Sequence, residues 1–181
     1  MNPVIVFGAG AVVLFGLLSL FKKKAKAQPV TPVTQEKMLS SPITGVSDSQ
    51  WTEFVKRSKW GNKDTRTDSK LYGWFLFTLE DLKDFAGIDN PTEDRLNQFL
   101  SSSDEQYAAM VAMTKNHEGY IKRSSIRGAI GNQFDGEAIT MSGLLGLSHQ
   151  LGLRGLENWL ADGSVRTNET IEAFQSTNGA F

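Results

Sequence analysis

The sequence predicts an all-α protein in three parts: a membrane-spanning N-terminal helix, a flexible linker and one small helical domain. Three observations carry this. Residues 3–21 (PVIVFGAGAVVLFGLLSLF) contain no charge and have about the length needed to cross a bilayer. Residues 28–46 hold Pro29, Pro32 and Pro42 among Thr, Ser and Gln, the composition of an extended spacer. Beyond residue 47, capping residues recur ahead of apolar stripes at helical spacing. The boundaries are 1–21 for the anchor, 22–47 for a basic and then Pro/Thr/Ser-rich linker, and 48–181 for the domain.

The anchor is read from its flanks. A cleaved signal peptide carries positive charge ahead of its apolar run and a small-residue site behind it. Here Lys22, Lys23, Lys24 and Lys26 follow the run, and Ala25-Lys26-Ala27 imitates a cleavage site only loosely. A retained single-pass anchor is therefore expected, ahead of a cleaved signal or a buried core helix. Positive flanks stay on the cytoplasmic side, so the domain is expected on the cytoplasmic face of the cell that inserts it. Gly8, Gly10 and Gly16 read as ordinary membrane-helix glycines rather than a helix-pairing face.

Each helix of the domain has its own signal. Ser47 or Asp48 caps a helix carrying Trp51, Phe54 and Val55. Thr78 caps one through Leu79, Leu82 and Phe85, closed by Gly87. Pro91 opens a third with Leu96, Phe99 and Leu100 inward. Ser103 and Gln106 have capping-box spacing before the longest helix, which aligns Tyr107, Met110, Val111, Thr114, Glu118 and Ile121. Thr140 or Ser142 starts a Leu-rich helix closed near Gly152, and Leu156, Trp159 and Leu160 continue toward Gly163. Thr167 caps a last helix with Ile171 and Phe174. Residues 72–77 are the only strand-like stretch, and read equally as a helix entry.

Charge narrows the function classes. The 181 residues carry a net charge of −1, with 19 basic and 20 acidic residues. Five of those bases (Lys22, Lys23, Lys24, Lys26, Lys37) and one acid (Glu36) precede residue 48, leaving 14 against 19, a net of −5 for the domain. An acidic domain is a poor nucleic-acid binder, because such binding leans on phosphate neutralisation. The chain has no cysteine, hence no disulfide framework and no thiolate metal site. His117-Glu118 lacks a second spaced ligand for a metal, no Gly-rich phosphate loop is present, and no cofactor is predicted.

Residues 134–163 (FDGEAITMSGLLGLSHQLGLRGLENWLADG) carry a resemblance. Gly136, Ile139, Thr140, Ser142, Gly143, Leu144, Leu145, His149, Leu151 and Gly152 fall on a pattern that resembles the C-terminal part of phage and secretion-system peptidoglycan hydrolases with a lysozyme-like fold. Phe99, Leu100 and Gln106 keep the register of that family's helix entry, and Gly73 to Phe77 stand at its aromatic motif. The resemblance spans roughly residues 50–175 and is strongest at the C-terminal end. It implies a lysozyme-like helical domain whose ligand is peptidoglycan. It also implies that the catalytic Glu of the family stands at Ser58, with Gly61 and Asn62 keeping register, and that Leu76 replaces the motif's Gln. A glycosidase needs a carboxylic acid to protonate the leaving oxygen, which serine does not supply.

Two other acids are catalytic candidates. Glu53 lies on the first helix, five residues before Ser58, where a solvated helical Glu is the competing reading. Glu118 lies along the apolar stripe of the longest helix, where the competing reading is an edge-of-core Glu paired with Lys122. Glu80 and Asp81 read as first-turn acids favouring a helix N-terminus. Trp60 and Trp74 flank the implied cleft and are candidates for stacking on sugar rings; Trp51 and Trp159 have core spacing. His149 is a third glycan-facing candidate beside a packing role.

Two function classes follow. One is a structural or glycan-binding element held at a membrane, with the lipid bilayer, peptidoglycan, and capsid or other virion proteins as partners. The other is an active muramidase or lytic transglycosylase that opens the wall locally. A virus particle with an internal membrane reconciles a cytoplasmic domain with a peptidoglycan ligand, because such a particle meets the wall when it enters the next cell; a bacterial membrane protein carrying a captured phage domain is the rival setting.

Overall fold

The computed structural model describes residues 39–161 and 166–181. The predicted membrane span and most of the linker lie outside these residues. Among the described residues no helix is long and apolar enough to cross a membrane. The described domain is predominantly helical, with α1 (Asp48–Arg57), α2 (Leu79–Ala86), α3 (Glu93–Ser101), α4 (Ser103–Arg123), α5 (Met141–Ala161) and α6 (Asn168–Thr177).

Local chemistry sets the ends of these helices. Ser47, Thr78 and Thr167 each close a reciprocal capping box, with Gln50, Asp81 and Thr170 as partners. Gly87 ends α2 in the left-handed conformation at φ 65°, which costs glycine little. Gly152 (φ 68°, ψ 170°) breaks α5 into two helical halves, where the sequence predicts a closure.

Two starts differ from expectation. Thr92, not Pro91, caps α3. Ser102 caps α4 by accepting from Glu105 N–H at 3.2 Å, so the expected Ser103–Gln106 capping box does not form. Gln106 turns inward instead, and the buried stripe of α4 runs through Gln106, Met110, Met113, His117 and Ile121. Met110, Thr114 and Ile121 of the predicted stripe are buried, and the rest of it is rotated by about one residue. The rotation leaves Tyr107, Val111 and Glu118 half-buried.

Residues 72–77 form neither a strand nor a helix entry. Tyr72 and Phe77 exchange backbone hydrogen bonds of 2.9 and 3.0 Å around a four-residue turn. Gly73 and Leu76 take positive φ (72° and 54°) within it. A short hairpin pairs β1 (Gln133–Phe134) with β2 (Glu137–Ala138). Its two-residue turn, Asp135-Gly136, has φ of 50° and 82°, the conformation that Asp-Gly turns favour.

One core gathers these pieces. Trp51 and Phe54 of α1, Phe75 and Phe77 of the turn, Leu82, Phe99, Met110, Met113, Ile121, Leu144, Leu145, Trp159 and Phe174 are all at most 2% exposed. The predicted leucine cluster is present: Leu144, Leu145, Leu147 and Leu156 are fully buried, Leu151 partly. Helix α5 packs on α4 and most extensively on α6. The α5–α6 approach is close because of two glycines. A Cβ on Gly143 would stand 2.6 Å from Phe174, and one on Gly146 would stand 2.0 Å from Thr177 Oγ1.

Candidate functional site

The segment from the end of α1 to the 72–77 turn is where the resemblance places the chemistry. Ser58 follows the last residue of α1. It is fully buried, its N–H donates to the Phe54 carbonyl at 2.9 Å, and its hydroxyl donates to the same oxygen at 2.8 Å. The position assigned to the family's acid therefore holds a small packed side chain whose proton is already committed.

Beyond Ser58 the chain folds back on itself. Gly61 N–H donates to the Trp74 carbonyl at 2.9 Å, and Gly73 N–H to the Thr65 carbonyl at 2.8 Å. A Cβ on Gly61 would stand 2.6 Å from the Gly73 carbonyl oxygen, so only glycine allows this approach. Gln106 fastens the fold-back to α4. Its Oε1 accepts from Trp74 N–H at 2.9 Å, and its Nε2 donates to the carbonyls of Lys63 (2.9 Å) and Leu100 (3.1 Å). The side chain is fully buried and satisfied, which is what makes an interior amide tolerable.

On the outer side of this fold-back stands an aromatic and cationic cluster. The Lys59 ammonium lies 4.1 Å from the centroid of the Trp74 ring and 5.1 Å from that of Tyr107, and donates to the Tyr107 hydroxyl at 2.7 Å. The two rings are 5.2 Å apart at 41°. Lys59, Trp60, Trp74 and Tyr107 are all half-buried. Next to it along the chain is an open groove of about 510 Å³, lined by Lys63, Asp64, Arg66, Asn97, Leu100 and Ser101. Arg66 there is paired with Glu93, and Lys63 donates to the Ser101 carbonyl at 3.1 Å.

The other candidates lie elsewhere. Glu53 is exposed and pairs with Arg57 one helical turn on, at 2.8 Å. Glu118 is largely buried, with Lys122 Nζ 2.6 Å from its Oε1 but not aligned for a hydrogen bond. It stands eleven residues beyond Tyr107 on α4, about 16 Å along the axis, and so does not share the Lys59 cluster. Asp81 accepts from Thr78 N–H and from the Thr78 hydroxyl, both at 2.8 Å, in its capping role. Of the three glycan-facing candidates, Trp60 and Trp74 border the fold-back, whereas His149 packs between α1, α4 and α5.

His149 belongs to a second cluster that sequence reasoning missed. Its ring centroid is 5.5 Å from that of His117 and 5.9 Å from that of Phe54. The Thr114 hydroxyl donates to the Met110 carbonyl at 2.8 Å, so it receives the His149 Nε2–H at 3.2 Å. The Ser148 hydroxyl donates to the Leu145 carbonyl at 2.8 Å, so it receives the His117 Nδ1–H at 2.9 Å. Each ring thus carries a proton on that nitrogen, burial favours the neutral form, and His149 Nδ1 is buried without a hydrogen-bond partner. Burial pushes the His117 imidazole down to about 4, against a smaller upward pull from Asp81. Burial, and then the neighbouring His117, holds His149 well below its ordinary value.

Among the described residues, no three His, Cys, Asp or Glu side chains converge as a metal site would require. No protein-family model, curated protein or solved structure matches this chain. Gln106, His117 and Lys59 are the residues that sequence patterns did not single out for the clusters they build. Gln106 and His117 are polar residues one step round α4 from the predicted stripe. The partners of Lys59 come from Trp74 and Tyr107, far along the chain.

Proposed function

We propose that this is a membrane-anchored protein with a lysozyme-like domain that binds peptidoglycan without cutting it. The observation that carries the reading is Ser58. At the position where the resemblance requires a solvent-facing carboxylic acid, the chain has a fully buried hydroxyl bonded to its own helix. A glycosidase deprived of its general acid forfeits about 10²–10⁴ in rate. The two other acids do not compensate: Glu53 sits in an exposed ion pair, and Glu118 lies a long way down α4 from the fold-back. Trp60 and Trp74 remain partly accessible beside it, which supports a binding role for the same surface. The uncharged run at residues 3–21 with its trailing lysines supports the anchor. A virus particle with an internal membrane is the setting that brings such a domain between bilayer and capsid, and later to a cell wall.

The test uses the full chain in detergent micelles, assayed on purified peptidoglycan by zymography and by co-sedimentation. Retention on the polymer without lysis is expected. Lysis abolished by Glu118→Gln or Glu53→Gln would overturn the non-catalytic reading and establish a hydrolase. Orientation is tested by protease protection in inside-out vesicles, where the domain is expected to be digested.

A further inference from the structure

We propose that Lys59, seated on Trp74 and Tyr107, is the anchor for a carboxylate on the peptide stem of the bound polymer, so that this surface selects peptidoglycan over a neutral glycan. The proposal rests on the glycan-binding reading above and specifies its ligand. Three observations carry it.

The ammonium is held rather than free. It lies 4.1 Å from the Trp74 centroid and accepts no other geometry without giving up its 2.7 Å bond to the Tyr107 hydroxyl. A lysine on an open surface has its long stem to order before it binds anything, at a cost in rotamer entropy. Here the rings have already ordered it.

The ammonium also lacks a counter-ion. Lys59 is half-buried, yet among the described residues it makes no ion pair with a carboxylate, in a domain whose acids outnumber its bases. Nearby, Arg57 is paired with Glu53 and Arg66 with Glu93, while Lys63 donates to the Ser101 carbonyl. An ammonium has three N–H donors; Tyr107 takes one, and the remaining two suit a carboxylate, whose bond to a cation is about twice as strong as a neutral one.

Finally, the cation occupies one face of the Trp74 ring, 4.1 Å from its centroid, and a sugar stacking there competes with it. A neutral glycan must displace Lys59 and forgo the cation–π contact. A carboxylated one keeps that contact and adds a charge-assisted bond. Peptidoglycan offers such groups on its peptide stems, which are joined in amide linkage to the lactyl groups of its muramic acid; chitin, with a similar sugar backbone, offers none.

The experiment measures co-sedimentation of the full chain in micelles with three polymers: native peptidoglycan, peptidoglycan with its carboxyls amidated, and chitin. Native polymer is expected to retain the protein at least about tenfold better than the other two, and added salt should narrow the difference. Lys59→Gln should bring native peptidoglycan down to the chitin level, and Lys59→Arg should restore most of the binding. The amidated polymer alters the ligand alone, so the test survives a variant that folds poorly. Equal retention on all three polymers would overturn the carboxylate assignment and leave glycan binding standing. Retention on none would overturn both.

Discussion

The Gln106 Oε1 accepts a hydrogen bond from Trp74 N–H at 2.9 Å, tying the middle of a long helix entry to the tip of the aromatic turn. The same amide holds the Lys63 and Leu100 carbonyls. Replacing Gln106 with Leu would leave these buried groups without partners, at about 1–3 kcal/mol for each group that stays unsatisfied. Chemical denaturation of Gln106→Leu should show a loss of about 3 kcal/mol or more, with lost near-ultraviolet dichroism from Trp74. An unchanged midpoint would mean that the clamp is dispensable.

Gly146 faces Thr177 so closely that a methyl group has no room, its Cβ lying 2.0 Å from the Thr177 Oγ1. Gly146→Ala should therefore destabilise by about 1–3 kcal/mol through overpacking. Thr177→Ala in the same chain should recover part of that loss. Additive losses in the double variant would place the clash elsewhere.

Leu145 of α5 is fully buried. Its truncation to Ala should cost about 2–5 kcal/mol, read from urea unfolding.

The paired histidines make stability depend on pH with a definite sign. His117 is lowered in the fold to about 4 from 6.5, so between those values the unfolded chain binds more protons than the folded one. Stability is then complete above about pH 6.5 and falls as the pH drops toward 4, by about 3 kcal/mol from this ring. His149 shifts in the same direction. Unfolding free energies at pH 7 and pH 5 should differ more in the wild type than in a His117→Gln/His149→Gln variant. Equal differences would assign the acid sensitivity to carboxylates.

Ser58→Glu should not create a glycosidase. The site is closed to solvent, and a lone carboxylate there meets a desolvation penalty of several kcal/mol. We expect a less stable protein without lytic activity, whereas Ser58→Ala should cost about 1 kcal/mol. Lysis gained by the Glu variant at undiminished stability would show that the cleft lies at Ser58 after all.

Much of the helical framework was legible in short stretches of sequence. The caps at Ser47, Thr78 and Thr167, the stop at Gly87 and the break at Gly152 depend on residues within a turn of each other, and they form as the residues suggest. The orientation of α4 was not legible, because Gln106 and His117 are buried only by virtue of partners at Lys63, Trp74 and Ser148. Polarity alone pointed both outward. The hairpin around Asp135-Gly136 was not legible, and residues 72–77 read as the only strand-like stretch, because only four residues pair around the turn, too few to set up a strand pattern. At the site, Trp60 and Trp74 were legible as aromatic residues near the implied cleft. The seating of Lys59 was not, since Tyr107 reaches it from another helix.

The tail is tied down where α5 begins. Thr140 Oγ1 donates to Asn178 Oδ1 at 2.8 Å, Ala180 N–H donates to Ser142 Oγ at 3.1 Å, and the Phe181 ring lies edge-on to Phe54 at 5.4 Å. Phe54 belongs to α1, so this contact joins residues 127 positions apart and forms only after residue 181 has been made. Chains emerge at about 5–20 residues per second, and residues 54 and 181 are therefore separated by several seconds of synthesis. During that interval α1 has its neighbours' surfaces but not its closing ring. Phe181→Ala should therefore loosen α1 on that side, and limited proteolysis should cut the variant faster than the wild type.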